Sequence, residues 1–167
     1  MIDCTWLWIY ALPRKGLAVI TYQVEDLALA IPEMTELFNE HWEEVACNKD
    51  VIKLDPDWPV YYRMIDEGRT HLITAREAGK LLGYFLCVIT KELHYKNVTT
   101  ANTDIFFLKK EYRNGFAGIK LFKVLEKTLK DIGVNKINTA TKLSLDIGPM
   151  LERLGYKPVE RLYSKLI

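Results

Sequence analysis

The chain has 167 residues, 49% hydrophobic and 27% charged, which suits one domain with a buried core and leaves no room for two of ordinary size. Its 23 Lys and Arg balance 22 Asp and Glu, so charge gives no case for a nucleic acid or a membrane surface as partner. No apolar run approaches the roughly 20 residues of a membrane span, and Cys4, Cys47 and Cys87 lack metal-ligand spacing and fit a reducing cytoplasm.

Residues 1–16 read as an N-terminal extension. Cys4 to Leu12 is apolar, but the start Met-Ile-Asp carries no positive charge and no small-residue cleavage site follows, so no secretory signal is expected. Pro13-Arg14-Lys15-Gly16 breaks the chain before a single domain over 17–167. Leu17 to Glu25 is the first expected strand. Pro32 fits the first turn of a helix on which Met34, Phe38, His41 and Val45 recur. On that apolar face His41 reads as a packed histidine. Asp55-Pro56-Asp57-Trp58-Pro59 connects to a second helix within Pro59 to Glu67, ended by Gly68.

Thr70 to Arg76 and Leu81 to Thr90 are apolar runs joined by Glu77-Ala78-Gly79-Lys80, a hairpin signal. Thr99 to Leu108 is a further strand. Alternation puts Asn102, Asp104 and Phe106 on one of its faces, with Asp104 the only carboxylate in the run. The long helix that follows groups Phe122, Leu125, Leu129 and Ile132, and stops at Gly133. Lys136 to Thr141 is a strand, Ser144 to Leu154 a short helix with Ser144 as its cap, and Tyr156 to Ile167 one or two final strands. The order predicts an α/β fold: a mixed central β-sheet flanked by helices on both faces.

Between Leu108 and the long helix runs Lys-Lys-Glu-Tyr-Arg-Asn-Gly-Phe-Ala-Gly. A turn from a strand end into a helix presents unpaired N–H groups and the positive end of the helix dipole, a setting that favours phosphate. Gly115, Ala117 and Gly118 let a ligand approach the backbone, and Arg113 can add a charge-assisted contact.

This turn resembles motif A of the GNAT superfamily of N-acetyltransferases, Arg/Gln-x-x-Gly-x-Gly/Ala. Arg113 and Gly118 match its first and last positions, Phe116 stands at the middle glycine, and Gly115 lies one residue earlier. Leu151-Glu152-Arg153-Leu154-Gly155-Tyr156 resembles motif B, and Lys80-Leu81-Leu82-Gly83-Tyr84 resembles the family's third strand. The element order agrees from Leu17 to Ile167. The pattern is similar to that of a GNAT-like group encoded by tailed bacteriophages, which implies a viral source.

The resemblance implies acetyl-CoA as donor, with pantetheine beside the backbone of Phe106, Phe107 and Leu108. Arg113 and the amides of Asn114, Gly115, Phe116, Ala117 and Gly118 would cradle the pyrophosphate, and Ser144 falls where the family often has a cofactor-side asparagine. Direct transfer to a primary amine needs a base, for which Asp104 and the loop residue His94 are the candidates. The family's usual acid, a motif B tyrosine, is Leu151 here. The expected partners are acetyl-CoA and an amine on a small molecule or protein, with the chain a monomer or homodimer and no metal required. The alternative is a catalytically weak or inactive acyl-CoA-binding protein that acts by binding, for example by blocking a host factor.

Overall fold

The computed structural model describes residues 19–167. The extension, with Leu17 and Ala18 of the first expected strand, lies outside the described residues. One sheet holds five strands in chain order: β1 (Ile20–Glu25), β2 (Thr70–Glu77), β3 (Lys80–Lys91), β4 (Thr99–Leu108) and β5 (Lys136–Asn138). The first four pair antiparallel, and β5 joins β4 in parallel. The β2–β3 hairpin turns through Ala78 and Gly79, both at positive φ, with Glu77 opposite Lys80. Two left-handed residues make the two-residue turn whose twist matches the strands it joins.

Two cores form, one on each face of the sheet. On one face α1 (Leu27–Val45) and α2 (Trp58–Asp66) cover Leu72, Leu81, Tyr84, Leu86, Ile105 and Phe107. On the other, α3 (Ala117–Asp131) and the short α4 (Gly148–Arg153) cover Ile73, Phe85, Cys87, Ala101 and Leu108. Phe122 is fully buried there, its ring edge-on to Phe85, Phe106 and Tyr156. Truncating such a side chain costs about 3–5 kcal/mol. The mixed sheet with helices on both faces is therefore present as the sequence predicts.

Several local expectations change. Helix α1 starts five residues before Pro32, because Asp26 caps it by accepting from the amides of Ala28 at 2.8 Å and Leu29 at 3.3 Å. Pro32 then sits inside the helix, where the run Leu27-Ala-Leu-Ala-Ile before it already favours the helical state. Ile132, grouped with the buried face of α3, is its C-terminal cap residue and is exposed.

Helix α4 begins at Gly148, and Ser144 does not cap it. The entry is built by Asp146, whose Oδ1 accepts from the Gly148 amide at 2.7 Å, and by Thr141, whose hydroxyl accepts from the Ile147 amide at 2.8 Å. No strand follows Tyr156. Val159, Leu162, Tyr163 and Leu166 stay exposed, and their spacing of three and four does not supply the two-residue period of a half-buried strand.

Candidate acetyl-donor cleft and active site

The site grows from one strand. β4 is 10 residues long, yet β5 pairs only with Thr100, Ala101 and Asn102. A last contact, from the Thr103 hydroxyl to the Asn138 carbonyl at 3.2 Å, closes the pairing. Among the described residues β4 runs on beyond it to Leu108 with no strand on its β5 side, so its backbone there borders a gap. Phe106, Phe107 and Leu108 are the part of β4 that borders it.

On its other side β4 is clamped to β3. A Cβ built on Gly83 would stand 2.5 Å from the Phe107 carbonyl oxygen and 2.9 Å from the Leu108 Cα. Only glycine lets the strands approach this closely. The third-strand glycine thus serves packing and fixes the height of β4 beside the gap.

The turn after Leu108 is a single 3-10 turn, Lys110–Tyr112, followed by Arg113 to Phe116 and then α3. Gly115 has φ +107, a conformation that side chains rarely adopt. No side chain caps α3. Among the described residues the amides of Asn114 to Gly118 form no hydrogen bond outside the regular elements, so the helix start is open. Gly118 has no such backbone need. A Cβ there would meet nothing nearer than the Met150 sulfur at 3.9 Å. Glycine inside a helix is about 1 kcal/mol less favourable than alanine. The fold gives no reason for glycine at this position, whereas close approach of a ligand does.

Arg113 is placed in the turn but is already engaged. Its Nη1 and Nη2 donate to the two Glu44 oxygens on α1, each at 2.5 Å, and its Nε donates to the Leu108 carbonyl at 2.6 Å. The guanidinium also lies over the Phe107 ring at 5.6 Å. Beside it the Glu44 carboxyl is held below the usual carboxylate range. Arg113 therefore ties the turn to α1. Ser144 sits in an exposed turn between Lys142 and Leu145.

Asp104 lies at a bulge. Opposite β3, Leu86 pairs with Ile105 and Cys87 with Thr103, so Asp104 is an extra residue without a partner. A bulge breaks alternation and re-aims a side chain. The expected shared face of Asn102, Asp104 and Phe106 does not form. Phe106 packs towards α3, while Ile105 and Asp104 both turn towards α1 and α2. Asp104 is exposed there, and its Oδ2 accepts a 2.6 Å hydrogen bond from the Tyr61 hydroxyl. Tyr61, on α2, is the residue that sequence reasoning missed, since nothing in a sequence shows a pairing across 43 positions.

Around Tyr61 stands an aromatic cluster. Phe38 stacks on Trp58 at 5.8 Å, Trp58 meets Tyr61 at 5.7 Å, and Tyr84 packs against Phe38, His41 and Phe107. His41 Nδ1 lies 3.1 Å from the Tyr84 hydroxyl. Burial lowers the His41 pKa to about 4, so the ring is neutral near pH 7, as a packed histidine should be.

His94 is elsewhere. It is exposed in the loop before β4 and lines a groove of about 810 Å³ with Arg69, Lys91, Glu92, Leu93 and Thr99. From Thr99 to Asp104 is roughly 16 Å of extended chain at about 3.3 Å per residue. The structure does not bring the two candidate bases together. Leu151 is buried in the α3-side core. The Tyr156 hydroxyl is buried near Glu126 with no hydrogen-bond partner among the described residues, and Tyr163 is exposed on the C-terminal segment. No group of His, Cys, Asp and Glu able to hold a metal occurs among the described residues, and no described helix is long and apolar enough to cross a membrane.

No family model matches the chain, and no curated protein matches it in sequence. Solved structures match it in shape. A ribosomal-protein-alanine N-acetyltransferase from Brucella melitensis superposes with a TM-score of 0.66 at 15% identity, covering 89% of this chain and 99% of that one. The chain has the GNAT acetyltransferase fold. A predicted acetyltransferase from Clostridium acetobutylicum, crystallised with acetyl-CoA, gives 0.65 at 12% identity over 89% and 96% of the two chains. A transcriptional regulator from Bacillus halodurans gives 0.70 at 17% identity over 89% and 100%. At these identities the likeness is one of fold. One GNAT-fold structure thus carries acetyl-CoA and another is described by regulation, so activity has to be argued from the site.

Proposed function

We propose that the chain is an N-acetyltransferase that moves an acetyl group from acetyl-CoA directly to a primary amine. One observation carries this reading: β4 leaves its parallel neighbour after three paired residues and leads into an uncapped helix start. The gap suits an extended chain such as pantetheine, which can hydrogen-bond to the free β4 edge. The amides of Asn114 to Gly118 suit the pyrophosphate, aided by the dipole of the 15-residue α3. Arg113 acts mainly by holding this turn against α1.

Asp104 is the proposed base. It stands at the bulge, midway along the strand that borders the donor gap, on the face opposite α3. An acceptor ammonium arriving there loses a proton to the carboxylate or through a water held by it. The amine then attacks the thioester carbonyl, the tetrahedral intermediate collapses as coenzyme A leaves as thiolate, and the second nitrogen proton passes to water. Two features favour direct transfer over an acyl-enzyme. Burial pushes the Cys87 thiol up to about 12, far from the reactive thiolate state. Cys47 is exposed in the segment just after α1, on none of the elements that border the gap. With Leu151 buried in the acid's usual place, the thiolate takes its proton from water.

The test has two steps. Calorimetry with acetyl-CoA should show binding at sub-millimolar ligand, and the absence of heat with folded protein would refute the donor site. A panel of small amines and peptides with free N-termini, read by coenzyme A release, should then yield an acceptor. Asp104→Asn should lower turnover by about 10²-fold with unchanged melting temperature and donor affinity. Binding without turnover on any amine would favour a protein that works by binding acyl-CoA alone.

A further inference from the structure

We propose that Tyr61 is a positioning residue for the transfer reaction: its hydroxyl fixes the Asp104 carboxylate so that Oδ1 faces the acceptor. The proposal rests on the reading of Asp104 as base and adds how that base is oriented.

Three observations support it. A carboxylate on an exposed bulge residue is free to turn about two side-chain bonds, and a proton acceptor in that state is in the wrong geometry most of the time. The 2.6 Å bond from Tyr61 is the only hydrogen bond to the Asp104 side chain among the described residues, and it uses Oδ2 alone. Among the described residues Oδ1 is left without a partner, so the same contact that orients the group leaves one oxygen available.

Tyr61 is itself held in place. Helix α2 is started by Asp57, whose side chain accepts from the Val60 amide at 3.2 Å, and by Pro59 in its first turn. The Tyr61 ring rests on Trp58, which stacks on Phe38 of α1. Burial, with the neighbouring Asp104 carboxylate second, pushes the Tyr61 hydroxyl well above its ordinary pKa. The hydroxyl therefore stays protonated and acts as a donor. Its proton is committed to Asp104 Oδ2 in this geometry, which separates orienting Asp104 from replacing the missing acid.

The bulge makes the arrangement possible. With regular alternation Asp104 would share the face of Phe106 and point under α3, away from Tyr61. The extra residue turns it to the α2 side.

The experiment is a kinetic double-mutant cycle with Tyr61→Phe, Asp104→Asn and the double variant, using acetyl-CoA and the amine that turns over fastest in the panel. Tyr61→Phe keeps the ring and should lower kcat about tenfold, the loss of one hydrogen bond to a charged group, with KM for acetyl-CoA unchanged. The double variant should be no slower than Asp104→Asn, since the hydroxyl acts only through the carboxylate. Multiplicative losses, or a Tyr61→Phe enzyme as fast as wild type, would overturn the proposal while leaving Asp104 as base. An Asp104→Asn enzyme with full activity would instead remove the base assignment itself, and the proposal with it. A second readout needs no acceptor. The side-chain carboxyl carbon resonance of Asp104, in labelled protein, should move in Tyr61→Phe at unchanged melting temperature. If Tyr61→Phe melts early, Tyr61→Trp, which keeps a large ring without the hydroxyl, takes its place in both measurements. An unmoved resonance shows that the bond does not orient the carboxylate.

Discussion

The two ends of the proposed reaction path are built from different materials. At the C-terminal end of β4 the donor turn is backbone: open amides, a helix dipole and glycines that leave room. At the bulge the acceptor side is side chains: a carboxylate from β4, a phenol from α2, and rings from α1 and α2. Backbone sites depend on local geometry and so follow from a short stretch of sequence. Side-chain sites depend on where distant elements meet. One strand, fixed in height by Gly83, serves both.

The largest effect should come from striking what the two regions share. Gly83→Val puts bulk into the Phe107 carbonyl and the Leu108 Cα, both backbone atoms that cannot step aside. A loss of about 4 kcal/mol or more is expected, seen as a collapsed melting temperature or insoluble protein. A well-folded Gly83→Val would show that β4 is not held by this contact.

Gly118→Glu separates the two regions. Its neighbourhood is open, so the fold should survive, yet bulk and negative charge at the helix start should abolish acetyl-CoA binding in calorimetry. Gly118→Ala should melt no lower than wild type and Lys120→Ala should bind normally. Acetyl-CoA affinity retained in Gly118→Glu would move the donor phosphates off this turn.

A smaller loss is expected where the turn is tied to α1. Glu44→Gln leaves Arg113 without its charged partner, and because both groups keep some contact with water the cost is about 1–2 kcal/mol in thermal melts. Weaker acetyl-CoA binding should accompany it if the tie holds the turn in shape. Unchanged affinity would mean that the amides hold their geometry without Arg113.

The smallest effect concerns pH. His41 has a folded pKa of about 4 against an ordinary value of 6.5. Between those values the unfolded chain binds more protons than the native one, so stability falls as pH drops through this window. Over the first unit below 6.5 the effect is about 1 kcal/mol. Burial lowers the His71 pKa as well, which adds in the same direction. Glu25, held near 2 chiefly by its hydrogen bond from Arg76, loses its contribution further down, from 4.5 towards 2. His41→Asn should flatten urea-melt stabilities between pH 6.5 and 5.5 relative to wild type. An equal slope in both would place the titration on other groups.

Much of this was legible in the sequence for reasons that stay local. The Ala78-Gly79 turn, the Thr99–Leu108 strand and the glycine turn into α3 each depend on the conformational preferences of a few neighbouring residues. Helix α1 misled at its start because Pro32 looked like a first-turn residue, while Asp26 further upstream offered the stronger cap. The exposed C-terminal segment misled because apolar content was read without its period.

By itself the sequence determined the mixed sheet, its helices on both faces and the open glycine turn, because periodicity, caps and turns act over short distances. Only the tertiary structure decided that Asp104 faces α2, that Tyr61 meets it, that Arg113 answers to Glu44 and that His94 stands apart. The reason is register. A single extra residue in β4, visible only once β3 is laid beside it, reverses the face of Asp104 and chooses its partner.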